Sequence, residues 1–533
     1  MDIRPNTAKE ENSMPVEDPE SGLDARILQE HRRRLRQALL EKKPEYLPVT
    51  DTCRPDNQGI LTGDWCGRST DATPAGFVAF VPAAGASSRY FAPLAALRRA
   101  LEKGPGPDLQ QALKELRENG AADMALPGPL RSLVEHPDEG SRLSQDACDR
   151  LLQAIDQPKA LYPCTLEGST FLGLKTAEHK AMGGLSGQIF VIPEGAEGRF
   201  RQVAELAPDP AGLEPPAALL EQGRKLLTLR FDARLEAVRD PATGKPSLVP
   251  AGHGTLIHLF ADCLKRFPDA HSLLIRNIDN VMGLAPDVLR ASRRFMENHH
   301  RVLQAVRLIR QGLAGRVEDA SAAAADLAGA CRPGRPLLHG EYIAGRDSRF
   351  ADLWWLQTNL FGMDPALIDT LTGDSDDRAA LQKLFSRPVN SLGQVPNSGK
   401  DVGGTPVTVR TKDGPVRVCL ELPHASPEDL DHYLKNPARA THFNPVFVAA
   451  ELTGDISTYE MSDSPFWILA KKDYRGQEVY YHETVLYELL GNNLMANALF
   501  PEVPRTVFNP HKSLGDSHGR QNSHWHLADS AGH

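Results

Sequence analysis

A short apolar run, Gly76–Ala83 (GFVAFVPA), passes directly into the small-residue turn AGASSR. The run is too short for a typical helix, and no polar alternation marks a wet face. Such a run reads as a strand buried on both faces, which implies a parallel-rich sheet covered by helices. Three similar runs follow: Gln188–Pro193 (QIFVIP), Lys225–Phe231 (KLLTLRF) and His271–Asn277 (HSLLIRN). Segments of helical spacing separate them, notably 92–155, broken near Gly104–Pro107 and Pro127–Pro129. Strands alternating with helices predict βαβ units and an α/β fold with a Rossmann-like, mixed, mostly parallel sheet.

The remaining segments frame that domain. Leu23–Glu45 has helical spacing at Ile27, Leu28, Leu35, Leu39 and Leu40, and a Pro/Asp/Gly-rich loop follows to Ala75, giving an N-terminal segment 23–75. The α/β domain spans 76–385, with 92–155 as a helical insertion. Residues 285–330 are helical and end in SAAAADLAGA, which reads as a surface helix or linker. From Arg387 onward Val407–Arg410, Val416–Leu422, Pro445–Ala450 and Phe466–Ala470 are strand-like between Gly/Pro/Asp turns, predicting a strand-rich C-terminal region over 386–514. Residues 1–22 and 515–533 are polar, without periodicity, and read as flexible tails.

Composition excludes several classes. The net charge of −9 argues against sequence-independent nucleic-acid binding, which needs clustered Lys and Arg. No run approaches 18 apolar residues, so no membrane span is expected, and the acidic N-terminus has no apolar signal-peptide core. Seven cysteines without a CxxC pair predict reduced thiols in a cytoplasmic protein.

Four motifs carry candidate chemistry. The turn Ala84-Gly85-Ala86-Ser87-Ser88-Arg89 follows a strand, so its free N–H groups suit phosphate and Arg89 suits a charge-assisted contact. Lys159, fixed after Pro158, suits a point charge on phosphate. Gly252-His253-Gly254 makes an open turn for a base or phosphate. Asp279, in Asn277-Ile278-Asp279-Asn280, ends a strand on the crevice side of an α/β sheet and suits Mg²⁺, which prefers oxygen ligands. Gly393–Lys400 (GQVPNSGK) is not a P-loop, because the glycine spacing is too long and Asp401 follows the lysine. His299 and His300, adjacent on a helix, face apart and make a poor metal pair.

The order of these motifs resembles the UDP-sugar pyrophosphorylase superfamily, where a Gly-rich loop, Pro-Lys, PxGHG and SNSDN follow one another. Further strings, RPVNSLGQVPNSGKDVGG, ATHFNPV (Ala440–Val446) and VPRTVFNPHKSLGD (Val503–Asp516), resemble a largely bacterial domain-of-unknown-function family that is pyrophosphorylase-like. The resemblance covers roughly residues 25–516. It departs at the first loop: the superfamily pattern GGxGTR becomes AGASSR, with Ala84 and Ser87 in place of glycines and Ser88 in place of threonine.

The resemblance implies a nucleotidyltransferase of GT-A-like fold that joins an NTP and a sugar 1-phosphate, with Mg²⁺, giving NDP-sugar and pyrophosphate. Its partners would be nucleoside triphosphate and sugar phosphate. Arg89, Lys159 and Asp279 would be catalytic, with Asp279 on the metal. Ala84, Gly85, Ala86, Ser87, Ser88, Gly252, His253 and Gly254 would hold the nucleotide. Glu421, Asn444, Lys471 and Lys472 would meet the sugar phosphate. The alternative is a nucleotide-sugar-binding protein or glycosyltransferase-like enzyme without pyrophosphorylase activity.

Overall fold

The computed structural model describes residue 33 and residues 46–515, apart from 68–72, 86–89, 122–123, 166–167, 206–216, 223–226, 230, 233–236, 240–242, 251–252, 334, 400–403, 454–464, 467 and 475–476. Apart from residue 33, the helix expected at 23–45 lies outside the described residues, as do residues 1–22 and 516–533. In chain order the strands are β1 (Val49–Thr52), β2 (Phe77–Pro82), β3 (Gly187–Pro193), β4 (Ala217–Gln222), β5 (Leu227–Leu229), β6 (Phe231–Asp232), β7 (Leu248–Pro250) and β8 (Ser272–Arg276). There follow β9 (Val389–Leu392), β10 (Val395–Pro396), β11 (Thr405–Thr411), β12 (Gly414–Leu420), β13 (His442–Phe443), β14 (Phe447–Glu451), β15 (Ile468–Tyr474), β16 (Gln477–Glu483) and β17 (Asn497–Leu499).

The central sheet has seven strands in the order β17-β9-β14-β8-β2-β3-β4. Every pairing is parallel except those of β14, which runs antiparallel to both β8 and β9. Side chains of β2, β3 and β8 are buried on both faces, as continuous apolar runs require. Val78, Phe80, Ile189, Val191, Leu273 and Ile275 face one core. Val81, Phe190 and Ile192 face a second core, built largely from the inserted helices α1 (Ala95–Lys103), α2 (Pro107–Glu118), α3 (Gly128–Glu135) and α4 (Gln145–Ile155). The insertion is therefore packed onto the sheet. Each of its helices buries one apolar stripe, such as Leu97, Leu101, Leu109 and Leu113.

Several expectations need correction. The run Lys225–Phe231 contributes β5 and β6, which pair with β7 and β16 outside the central sheet; the edge strand is β4 instead. The Pro/Asp/Gly-rich loop before Ala75 carries β1, the partner of β11 in a three-stranded sheet β1-β11-β12. The Ala-rich stretch is not a linker but a helix with one exposed and one buried face. It belongs to α6 (Val317–Cys331), which packs on α5 (Pro286–Ala314) with Ala320, Ala324, Leu327, Ala328 and Cys331 buried. Small side chains let the two helices approach: a Cβ on Gly312 would stand 2.3 Å from the Ala320 nitrogen. The C-terminal half is rich in strands, yet β9, β14 and β17 complete the central sheet. Among the described residues no helix is long and apolar enough to cross a membrane.

Candidate functional site

The turns after β2 and β8 leave the sheet at the same edge, because the two strands are parallel neighbours. After β2, Ala83 anchors the turn by donating its N–H to Val191 at 2.8 Å. Gly85 stands in open space, where a Cβ would meet nothing within 4 Å. Ala84 is described with it; Ala86, Ser87, Ser88 and Arg89 lie outside the described residues.

After β8, Asp279 becomes the centre of a charge cluster. Its Oδ2 accepts from Lys159 Nζ and from Lys512 Nζ, each at 3.2 Å. Lys159 is 3% exposed, whereas Lys512 is 59% exposed, so one cation is fixed and the other faces solvent. Lys159 also donates to the His511 carbonyl and sits over two aromatic faces, 4.3 Å from the Tyr90 centroid and 5.2 Å from that of Phe171. Burial pushes the Lys159 ammonium below its ordinary range, and Asp279 partly restores it. Burial would raise the Asp279 carboxyl; Lys512 and Lys159 outweigh it and hold the group ionised, below the usual carboxylate range. Asp279 Oδ1 is buried and has no hydrogen-bond partner.

The turn carrying Asp279 is cross-braced by the string Phe508-Asn509-Pro510-His511-Lys512. Asn280 Oδ1 accepts from the Asn509 N–H at 2.8 Å, and Asn509 Nδ2 donates to the Val281 carbonyl at 2.8 Å. The Val281 N–H donates to the Asn509 carbonyl at 3.2 Å, and the His511 N–H to the Asp279 carbonyl at 2.9 Å. Two asparagines thus splice two turns that are remote in sequence, and Lys512 arrives at the carboxylate as a result.

Beneath lies a buried ionic floor. Glu178, on the helix Phe171–Met182, accepts from Lys175 at 3.0 Å and Arg276 at 2.9 Å through Oε2. Its Oε1 accepts the backbone N–H groups of Met282 and Gly283. All three ionic side chains are 0% exposed. Lys175 also donates to the Asn280 carbonyl, and burial with the nearby Arg276 charge drives its pKa down to about 8. Burial alone would raise Glu178; Lys175 and Arg276 reverse that and keep it below the usual range. The floor therefore fixes the backbone that presents Asp279.

The other candidates are placed as follows. Gly252 lies outside the described residues. His253 is exposed and opens the 3₁₀ turn His253–Leu259. Gly254 is required by close approach: a Cβ there would stand 2.2 Å from Thr484 Cγ2, and its N–H donates to the Thr484 carbonyl at 3.0 Å. Lys471 and Lys472 lie on β15, in the sheet β15-β16-β6. Glu421 follows β12 in the three-stranded sheet, where Tyr487 donates its hydroxyl to it. Asn444 needs correction as a sugar contact. It is 1% exposed and its amide is engaged within the chain, donating to Gly393 at 2.8 Å and accepting from the Val446 N–H at 2.9 Å. It secures a turn in which Val446 takes a φ of 59°.

So Lys159 and Asp279 come together, and Glu421 stands apart, at the end of a strand of a different sheet. Lys512, Glu178, Lys175 and Arg276 were not anticipated. The FNPHK string was visible, and its asparagine beside NIDN was the available signal for Lys512. Among the described residues no group of three or more His, Cys, Asp or Glu side chains gathers as for a metal ion.

Residues 354–521 match the family model described as "Domain of unknown function (DUF4301)". The matched stretch contains the ATHFNPV and FNPHK strings. No curated protein matches the chain. Among solved structures, the chain is similar to UDP-glucose phosphorylase from Trypanosoma brucei, at 13% identity and a TM-score of 0.45, over 91% of this chain and 74% of that one. It is also similar to a mutant UDP-glucose pyrophosphorylase from Leishmania major in complex with UDP-glucose, at 12% identity and a TM-score of 0.44, over 92% of this chain and 78% of that one.

Proposed function

We propose that this protein is a cytoplasmic nucleotidyltransferase on a GT-A-like scaffold, joining an NTP and a sugar 1-phosphate to give NDP-sugar and pyrophosphate. The observation that carries the reading is the Lys159–Asp279–Lys512 cluster at the sheet edge where the turn after β2 also emerges. That edge is where α/β sheets bind nucleotides. The motif order supports the same reading.

The chemistry asks little of a general base. The nucleophile is a sugar-phosphate oxygen, already largely ionised because its second pKa is about 6. It forms a bond to the α-phosphorus while the bond to the pyrophosphate oxygen breaks, and the electron pair leaves with pyrophosphate. Catalysis is then positioning and charge neutralisation. Arg89 and the 84–88 turn would hold the triphosphate, Gly252–Gly254 the nucleoside, and Lys471 or Lys472 the sugar phosphate. Lys159, immobile, would orient the phosphate chain, and Lys512, exposed, would close over it.

Asp279 fits a magnesium ion. Its Oδ1 is a buried carboxylate oxygen without a partner, and oxygen is the donor this cation prefers. With a single protein carboxylate, the remaining ligands would be phosphate oxygens and water, which suits magnesium. Such an ion would supply Lewis-acid neutralisation of phosphate charge. The seven described cysteines are free and buried, in keeping with a reducing compartment.

The test is direct. The full-length protein is incubated with each NTP, Mg²⁺ and a panel of sugar 1-phosphates, and pyrophosphate is measured; NDP-sugars are assayed in reverse. Turnover is expected in both directions, and Asp279→Asn should lower kcat by about 10²–10³-fold. No turnover either way, with nucleotide binding intact, would leave the nucleotide-sugar-binding reading in its place. One observation favours that second reading: Lys159 is already neutralised by Asp279 and the His511 carbonyl.

A further inference from the structure

Two arginines stand at the seam between the β1-β11-β12 sheet and the chain that follows α6. Arg417, on β12, donates from Nη2 to the Gly59 carbonyl at 2.7 Å, and its guanidinium carbon lies 5.1 Å from the Phe500 centroid. Its Nε is buried without a hydrogen-bond partner. Arg335 has a buried Nη1 in the same condition. Burial depresses the Arg335 guanidinium, and the nearby Arg417 charge depresses it further. Neither arginine has a carboxylate partner among the described residues. Leaving like charges partly buried and unmatched is costly, so the arrangement calls for an anion.

Arg417 lines a cavity of about 230 Å³, together with Gln58, His339, Thr358 and Asn359. Gln58 is 8% exposed, and its Oε1 is buried without a partner. The cavity wall is also strained. Gln58 and His339 hold φ of 57° and 54°, in a region where non-glycine residues are uncommon. Thr358 and Asn359 belong to a π-helical turn, Leu356–Leu360. Such strain concentrates at ligand clamps. The carboxylates in the wall are already engaged: Asp51 by Arg54 at 3.0 Å, and Asp364 by the N–H of Ala366 at 2.9 Å.

We propose that this cavity binds a small oxyanion-bearing metabolite, whose anionic oxygens take the open Arg417 Nε–H and neutralise the Arg335–Arg417 pair, while Gln58 Oε1 accepts a hydroxyl. The volume is below the usual 300–1,000 Å³ of drug-sized pockets, so the ligand is smaller than a nucleotide and the site is distinct from the proposed crevice. A phosphate or a carboxylate would supply the anion.

The test uses full-length protein in chloride buffer. Inorganic phosphate and malonate are titrated separately at constant ionic strength, with Tm and heat of binding followed. A saturable rise in Tm is expected with at least one. Arg417→Lys keeps the charge but loses the Nε–H, and should weaken binding about 10-fold or more. Arg335→Met should do the same and, by removing an unmatched charge, raise the Tm of the anion-free protein. Gln58→Leu should weaken phosphate, which offers a hydroxyl, and spare malonate. Three results would overturn the proposal: no saturable response to either anion; a response unchanged in the Arg335→Met protein and abolished by Lys512→Met; or a lower anion-free Tm in Arg335→Met. Because the Arg335 readout improves folding, it stands even where Arg417→Lys fails to fold.

Discussion

Under the crevice, the buried cations Lys159, Lys175 and Arg276 each sit beside a carboxylate; at the seam, Arg335 and Arg417 do not. Arg387 shows an intermediate arrangement. Burial takes its pKa down to about 9, yet its N–H groups reach the carbonyls of Leu384 and Asn493 and the side chains of Gln357 and Asn497. The contrast separates two uses of a buried charge. With an internal partner it fixes backbone, as Glu178 fixes Met282 and Gly283. Without one it leaves binding free energy to be realised by a guest. The crevice is then a rigid frame whose exposed charge, Lys512, is the adjustable part, whereas the seam is incomplete until an anion arrives.

The sharpest way to break that contrast is to give the floor of the crevice the condition of the seam. Glu178→Gln keeps the shape and leaves Lys175 and Arg276 unmatched in a site of 0% exposure. It should cost about 3–5 kcal/mol in denaturant unfolding. A loss below about 1 kcal/mol would mean that carbonyl contacts alone suffice, as at Arg387.

A second prediction concerns pH. His179 and His299 are fully buried, and burial brings each down to about 3. His179 bonds Gln188 at 2.9 Å, and His299 bonds Ser391 at 3.1 Å. An unfolded histidine titrates near 6.5, so the unfolded chain takes up protons that the fold refuses. Stability is full above about pH 6.5 and should fall by roughly 1.4 kcal/mol per pH unit for each histidine as pH drops toward about 3. Denaturant melts from pH 7 to 4.5 check this, and His299→Gln should flatten the slope.

The smallest effect is expected at the brace. Asn509→Ala removes the Nδ2 bond to Val281 but spares the backbone bonds, and should cost about 0.5–1.5 kcal/mol. If pyrophosphate release fell while stability held, the brace would be setting the position of Lys512 and Asp279, and not merely closing a turn.

The apolar runs at 76–83, 188–193 and 271–277 announced three adjacent strands because burial on both faces leaves a continuous signature. AALLEQ did not announce β4, since an edge strand with exposed Ala217 and Glu221 carries no such run and its residues suit a helix equally. The antiparallel entry of β14 between β8 and β9 was also hidden, because pairing leaves no trace in one strand's own composition. In the site, Lys159 and Asp279 were legible from motif order. Lys175 and Glu178 were not: a charged pair three apart on a helix carries no mark of burial in the sequence, and only Arg276 and the sheet enclose it. The alanines of α6 left helix and linker open, and hid the buried face, for a related reason. Small apolar side chains serve equally on a surface and at a tight helix crossing.

The splice between Asn280 and Asn509 joins residues 229 positions apart. In time rather than space, this makes the cluster late to assemble relative to the strands that carry Asp279. During synthesis the sheet strands β2, β3 and β8 emerge long before Lys512, and contacts of such separation form late. A nascent or truncated chain ending before Asn509 would carry Asp279 on an unbraced turn, and Lys159 without the His511 carbonyl. The chain acquires the complete cluster only once Asn509 and Lys512 have been made.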